Sequence, residues 1–243
     1  MRVEALAIAL RPRLAAEAAD LGVALARAHA RSVWPVFAPV YLVFLLLACA
    51  TAEIARWLPG LLIFWCKPWL DCCLLFILSR AVFGQPTRLA DLWQERATVW
   101  RGQWLRTLLW RRLSPWRAFT QPIHQLEGQR GQALRQRRRL LLNGQRGMAT
   151  MMQMAFAHVE IAFEFALYAA VLWFAPQGHR QGILQSVFSA EASWWTTWLP
   201  VCIYAITVFV LEPFYVASGL AMYLNRRVEL EAWDIEQEFR HVF

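Results

Sequence analysis

The sequence predicts an all-α integral membrane protein: four transmembrane helices in two hairpins, with amphipathic helices outside the hydrocarbon. Three observations point there. Hydrophobic residues make up 58% of the chain and charged ones only 17%, against about 25% charged in soluble proteins. Four apolar stretches reach the ~20 residues a helix needs to cross a bilayer. Fourteen tryptophans are present, and several mark the ends of those stretches (Trp34, Trp57, Trp173, Trp194, Trp195 and Trp198), as indole rings do at membrane–water interfaces. One membrane domain accounts for residues 1–243.

Each element has its own signature. Within residues 1–32, Leu14, Ala18, Leu21, Leu25 and Ala28 recur at alternating spacings of four and three. Arg13, Glu17, Asp20, Arg27 and Arg31 fill the other faces, which describes an amphipathic helix for the inner membrane surface or for the bundle itself. Val33 to Ile54 and Leu58 to Leu78 form the first hairpin, closed by a tight link with Arg56, Pro59 and Gly60. Met148 to Phe174 and Trp195 to Leu224 form the second, joined by a segment that Pro176, Gly178 and Gly182 keep from being helical. A tail of residues 225–243 follows.

Between the hairpins, residues 80–146 carry 14 arginines and three acids. Thr98 to Leu113 mixes Val99, Trp100, Trp104, Leu105, Leu108 and Leu109 with Arg101, Arg106, Arg111 and Arg112, the pattern of an interfacial helix on anionic lipid. Ser114-Pro115 and Gln121-Pro122 are expected to break it. A second helix is expected from about Ile123 to Arg146, with Arg135, Arg137, Arg138 and Arg139 spread around it. Such juxtamembrane basic clusters attract anionic headgroups at roughly 1 kcal/mol per charge, so lipid or topology accounts for them better than nucleic acid. A protein partner at the same face is the other reading.

Arginine bias sets orientation. The short links of the two hairpins hold only Arg56 and Arg180, while the long middle segment and the edges at Arg80, Arg226 and Arg227 are basic. The positive-inside tendency puts both termini and the middle segment in the cytoplasm. The five cysteines all fall inside apolar stretches and have no metal-ligand spacing, so they read as small fillers. Leu46-Leu47-Ala48-Cys49 looks like a lipoprotein cleavage box, but the long amphipathic segment before it is unlike a signal peptide.

Charge inside the apolar stretches is the sharpest signal. The chain's single lysine, Lys67, sits mid-stretch four residues before Asp71. At ~1.5 Å per residue, Lys67 and Glu164 fall at similar depth; Asp71, Glu160 and Glu212 cluster nearer the midplane, with His158 slightly deeper. One positive charge thus faces four carboxyls, which desolvation and mutual repulsion disfavour as ions. The bland reading is a helix–helix lock, Lys67 with Glu164 or Glu212, that fixes register. The functional reading is a proton relay or polar substrate path through Asp71, Glu160, Glu164 and Glu212. Pro68 and Pro213 suit either, because each frees a carbonyl one turn earlier. His158, Glu160 and Glu164 have metal-ligand chemistry but a poor spacing, so no metal or cofactor is expected. Lys67-Pro68 before Ser79-Arg80, and Glu212-Pro213 before Asn225-Arg226, suggest a weak parallel repeat of the two hairpins.

The C-terminal run Glu212-Pro213-Phe214-Tyr215, Ala221-Met222-Tyr223-Leu224-Asn225-Arg226-Arg227 and Glu231-Ala232-Trp233-Asp234-Ile235-Glu236 resembles the ending of bacterial multi-span proteins of the glycerophosphoryl diester phosphodiesterase membrane-domain type. Trp233 departs from a glycine usual in that tail. The resemblance implies a helical accessory domain without the catalytic barrel. Together these signals lead to an expected non-catalytic accessory or scaffold protein of the bacterial inner membrane. Anionic lipid would be held at Arg80, Arg101, Arg106, Arg111, Arg112, Arg226 and Arg227, and a docking tail formed by Glu231, Trp233, Asp234 and Glu236. A small proton-coupled carrier is the alternative. A lipid-active enzyme is a third, for which Ser114, His124 and Glu127 are the only candidates.

Overall fold

The structure, a computed structural model, describes residues 12–100, 113–176, 178, 180–181 and 194–231. It is 85% helix, with no strand among the described residues. In chain order the helices are α1 (Ala15–Ala28), α2 (Ala30–Ala50, continued by a 3-10 turn at Thr51–Glu53), α3 (Leu58–Val82), α4 (Leu89–Gln94), α5 (Arg96–Trp100), α6 (Arg117–Gln125), α7 (Gly131–Leu142), α8 (Arg146–Phe174) and α9 (Trp194–Glu231). Four are long and apolar enough to cross a membrane: Ala30–Glu53, Leu58–Val82, Arg146–Phe174 and Thr197–Glu231.

Helix α9 is the axis. Its 38 residues extend about 57 Å at 1.5 Å per residue, well past the ~30 Å of a hydrocarbon core. Helices α1 and α2 run antiparallel along it, and a series of contacts marks the register. Asn225 accepts from the Arg13 N–H and donates to the Arg13 carbonyl, both at 2.9 Å. Ser218 donates to the Ala19 carbonyl at 3.0 Å. Further along, the Phe37 and Phe209 rings stack at 5.8 Å, and the Tyr41 hydroxyl donates to the Ala205 carbonyl at 2.8 Å.

The face α1 buries differs from the stripe read in the sequence. Ala18 and Leu25 are buried as expected, but so are Gly22 and Ala26, whereas Leu14 is 72% exposed. The reason is the closeness of the two backbones. A Cβ added at Gly22 would lie 2.4 Å from the Ala217 carbonyl oxygen and the Ser218 Cα. Small residues admit this approach, and leucines at the seam would hold the helices apart.

The basic middle segment also departs from expectation. Pro122 does not end a helix; it lies in the second turn of α6, where its ring costs one backbone hydrogen bond. Helix α6 is buried between α3 and α9 through Arg117, Ala118, Phe119, Gln121, Pro122 and Ile123. Its Ala118 sits against Gly219, where an added Cβ would come within 2.4 Å of the Ala118 Cβ. Two amides fasten it to α3: Gln121 donates to Cys72 Sγ at 3.3 Å and Gln125 to the Cys72 carbonyl at 2.7 Å. Nor does one helix run from Ile123 to Arg146. Gly128 and Gly144 take positive φ, 66° and 74°, a conformation glycine adopts without a Cβ clash, and they separate α6, α7 and α8.

An ion-pair clamp joins α7, the segment before it and the C-terminal end of α9. Glu127 meets Arg137 at 2.9 Å and accepts from Tyr223 at 2.6 Å; Arg137 also pairs with Glu231, which Arg227 holds at 2.6 Å. These carboxylates keep the Arg137 guanidinium above its ordinary pKa, chiefly through the hydrogen bonds it donates to Glu127. Arg226 pairs with Glu229 at 2.6 Å and donates to the Asn143 carbonyl at 2.9 Å, and Arg80 lies 3.6 Å from Asp91.

The Gly22 seam makes a test. Gly22→Ala is expected to cost about 1–3 kcal/mol through overpacking. Gly60→Ala, with nothing within 4 Å of its added Cβ, is expected to leave the melting temperature in detergent unchanged. Equal melting of the two variants would contradict the close approach of α1 and α9.

Candidate functional site

Four of the helices converge on a buried charged cluster. Lys67 comes from the middle of α3, one turn before Asp71 on the same face. Glu160 projects from α8, Glu212 from α9 and Arg117 from the first position of α6. Lys67 Nζ lies 2.8 Å from both Glu160 carboxylate oxygens and 3.0 Å from Glu212 Oε2. Arg117 lies 2.9 Å from Glu212 Oε1 through a terminal nitrogen and 2.8 Å from Asp71 Oδ2 through Nε. Glu212 is therefore the keystone, with one oxygen on each cation. Lys67, Asp71, Arg117 and Glu212 are at most 5% exposed, while the Glu160 side chain is 23% exposed.

Aromatic rings complete the shell. The Arg117 guanidinium stands 5.1 Å from the Tyr215 ring centroid and Lys67 Nζ 6.0 Å from that of Tyr204, favourable approaches of a cation to a π face. Tyr215 accepts from the Ala118 N–H at 3.4 Å and donates to Gln153 Oε1 on α8. Apart from Ala149 and Met152, α8 buries no residue. Glu160, Gln153 and Thr150, which accepts from the Trp116 indole N–H at 2.9 Å, are its polar ties to the core.

Beside the cluster is a cavity of about 430 Å³, walled by Phe64, Phe156 and Tyr204 and lined by Lys67, Glu160 and Glu164 among others. The cluster can hold charge, position a proton or present carboxylates to a small molecule. Of the two partners expected for Lys67 from sequence, the geometry gives Glu212 and replaces Glu164 with Glu160. Lys67 pairs with Glu160 and Glu212. Glu164 is half-buried, faces the cavity, and has no ion pair or hydrogen bond among the described residues. One helical turn separates Glu164 from Glu160, and Lys67 reaches only the nearer carboxylate. His158 is exposed on another face of α8 and donates through Nδ1 to the Met154 carbonyl at 2.7 Å. Pro68 and Pro213 are buried beside Lys67 and Glu212, so the two charge–proline pairs meet across α3 and α9.

The other residues singled out in the sequence are dispersed. Ser114 accepts from Arg138 at 3.0 Å, His124 donates to the Gln129 carbonyl at 3.2 Å, and Glu127 belongs to the ion-pair clamp. Arg80, Arg226, Arg227 and Glu231 have protein partners. Arg101, Arg106, Arg111, Arg112, Trp233, Asp234 and Glu236 lie outside the described residues. Cys72 is more than a filler, since its sulfur and carbonyl receive the two α6 amides.

Arg117 was missed, together with Tyr204, Tyr215 and Gln153. Among 14 arginines of a basic segment, nothing marks one of them as buried when charge alone is counted. The available signal is local: Arg117 opens a short run in which Ala118, Phe119, Pro122 and Ile123 share the helix with Gln121 and Gln125, an apolar pattern foreign to a solvated basic helix.

Breaking this network from either cation leaves a buried carboxyl without its counter-ion. Arg117→Met is expected to destabilise the detergent-solubilised protein by about 3–5 kcal/mol, and Asp71→Asn in the same chain to recover part of that loss. Glu160→Gln should cost less than Glu212→Gln, because water still reaches Glu160. Thermal melts of the four variants check both orders.

No protein-family model, curated protein or solved structure matches the chain, so its function has to be argued from the chemistry of this site.

Proposed function

We propose that the chain is a four-span protein of the bacterial inner membrane, both termini cytoplasmic, that serves as a non-catalytic accessory or scaffold component. The observation that carries this reading is the closure of the charged core: Lys67, Arg117, Asp71 and Glu212 each meet an opposite charge within 3.0 Å. A buried network closed in this way fixes which helices meet and in what register. Catalysis would call for a group left poised toward a substrate, and the candidate enzyme residues Ser114, His124 and Glu127 are engaged in separate contacts.

The outer surface supports membrane embedding. Leu42, Val43, Leu46 and Leu47 on α2, with Val159, Ile161 and Phe165 on α8, are 49–70% exposed. Water tolerates continuous apolar faces of this kind poorly, whereas lipid covers them at no cost. In this frame α6 dips from the basic side to the depth of Asp71, and the exposed Arg130, Arg135 and Arg139 remain where anionic headgroups or an acidic partner surface would meet them. The likeness of the C-terminal run to phosphodiesterase membrane domains fits an accessory part without phosphodiester chemistry. One observation favours a carrier instead: the cavity that reaches Lys67 and Glu160.

Topology provides the test. Single cysteines at Arg56 and Arg180 are expected to react with a membrane-impermeant maleimide on intact cells, and those at Arg88 and Arg130 only after permeabilisation. The reverse pattern would overturn the orientation, and labelling of all four from outside would overturn embedding. In proteoliposomes the scaffold leaves an imposed proton gradient intact; its collapse would replace this reading with the carrier.

A further inference from the structure

We propose that the cavity between α3, α8 and α9 is a binding site for a protonated amine with an apolar body. At about 430 Å³ it falls within the roughly 300–1,000 Å³ of small-molecule sites. It is not spare volume between greasy helices, because charged and aromatic groups converge on it.

The ligand class follows from charge. Two cations, Lys67 and Arg117, serve three carboxyls, Asp71, Glu160 and Glu212. Glu164 is a fourth carboxyl on the same cavity, with no ion pair or hydrogen bond among the described residues. The cavity wall itself carries three carboxyl side chains, Glu160, Glu164 and Glu212, against two basic ones, Lys67 and Arg117, a balance that suits a cation better than an anion in a poorly solvated site. Lys67 shows the chemistry the site prefers: an ammonium between two carboxylates at 2.8 and 3.0 Å, with the Tyr204 ring at 6.0 Å. Glu164, one turn along α8 and lining the same cavity as Phe64 and Phe156, offers a second ammonium a carboxyl beside aromatic walls. A metal ion is a poorer match. Hard cations take six or more oxygen ligands, and here the neighbouring carboxylates are committed to Lys67 and Arg117. An alkyl- or aryl-ammonium needs one carboxylate and an apolar wall, and both are present.

Such an ammonium could belong to a soluble amine or to the ethanolamine headgroup of a lipid. The assignment goes beyond the scaffold reading and does not need it. Loss of amine binding would leave the charge lock untouched, and a proton leak would leave the amine site untouched.

The experiment is titration calorimetry on the full chain in dodecyl maltoside. The probes are phenethylammonium, its neutral analogue 2-phenylethanol and its anionic analogue 3-phenylpropionate, each with and without added phosphatidylethanolamine. Phenethylammonium is expected to bind and its two analogues not to. Glu164→Gln should weaken it about tenfold or more with the melting temperature unchanged, since Glu164 supports no pair in the fold. Competition by phosphatidylethanolamine would identify the lipid headgroup as the source, and its absence a soluble amine; both outcomes support the site. The proposal is overturned if phenethylammonium does not bind, if phenylpropionate binds as well, or if Glu164→Gln leaves the affinity unchanged.

Discussion

Everything in this bundle is arranged around the two oxygens of Glu212. One faces Lys67 and the other Arg117, so a single side chain on α9 ties down α3 and α6, and through Lys67 also reaches Glu160 on α8. A buried charge is costly unless it is paired and hydrogen-bonded. The helices can therefore be brought together in only a few registers, those that give each charge its partner. Apolar packing alone, which is tolerant of slippage, would not impose that choice.

Close backbone approach is the second requirement, and Ala217-Ser218-Gly219 supplies it in two directions. On one side Gly22 of α1 lies against Ala217 and Ser218; on the other Ala118 of α6 lies against Gly219. The short helix α6 can reach the charged cluster because α9 is narrow at that point. The NH2 groups of Gln121 and Gln125 then bond Cys72 rather than water, which satisfies donors that would otherwise oppose burial. Steric and electrostatic constraints thus act on the same short stretch of α9.

The cluster has two parts that differ in environment. Its interior, from Asp71 through Arg117 and Glu212 to Lys67, is closed and fits a lock. Its margin, where Glu160 and Glu164 meet the cavity, is open and fits recognition. The two readings of the intramembrane charges weighed from sequence, lock and path, are therefore not exclusive. Helix α8 carries the open margin and is held to the core through Glu160, Gln153, Thr150, Ala149, Met152 and the Phe156 ring against Tyr215. A ligand at Glu164 would act on the membrane-length helix that buries the least of its surface in the bundle.

What the sequence by itself determined is the helical class and the four apolar helices, because length and continuous hydropathy are local properties. It also marked Lys67, Asp71, Glu160 and Glu212, since a charge amid apolar neighbours stands out without any knowledge of partners. The partners were another matter. Lys67 meets Glu160 and not Glu164, a difference of one helical turn that depends on how α8 is rotated and shifted against α3. The burial of α1 along α9 hinges on Gly22, whose value appears only when a second backbone lies against it. Above all, Arg117 looks like one arginine among many in a basic segment, and only the tertiary structure turns α6 inward and makes it the second cation of the core. Periodicity records which face of a helix is apolar, but a salt bridge between residues nearly a hundred positions apart is decided by the packing of the helices that carry them.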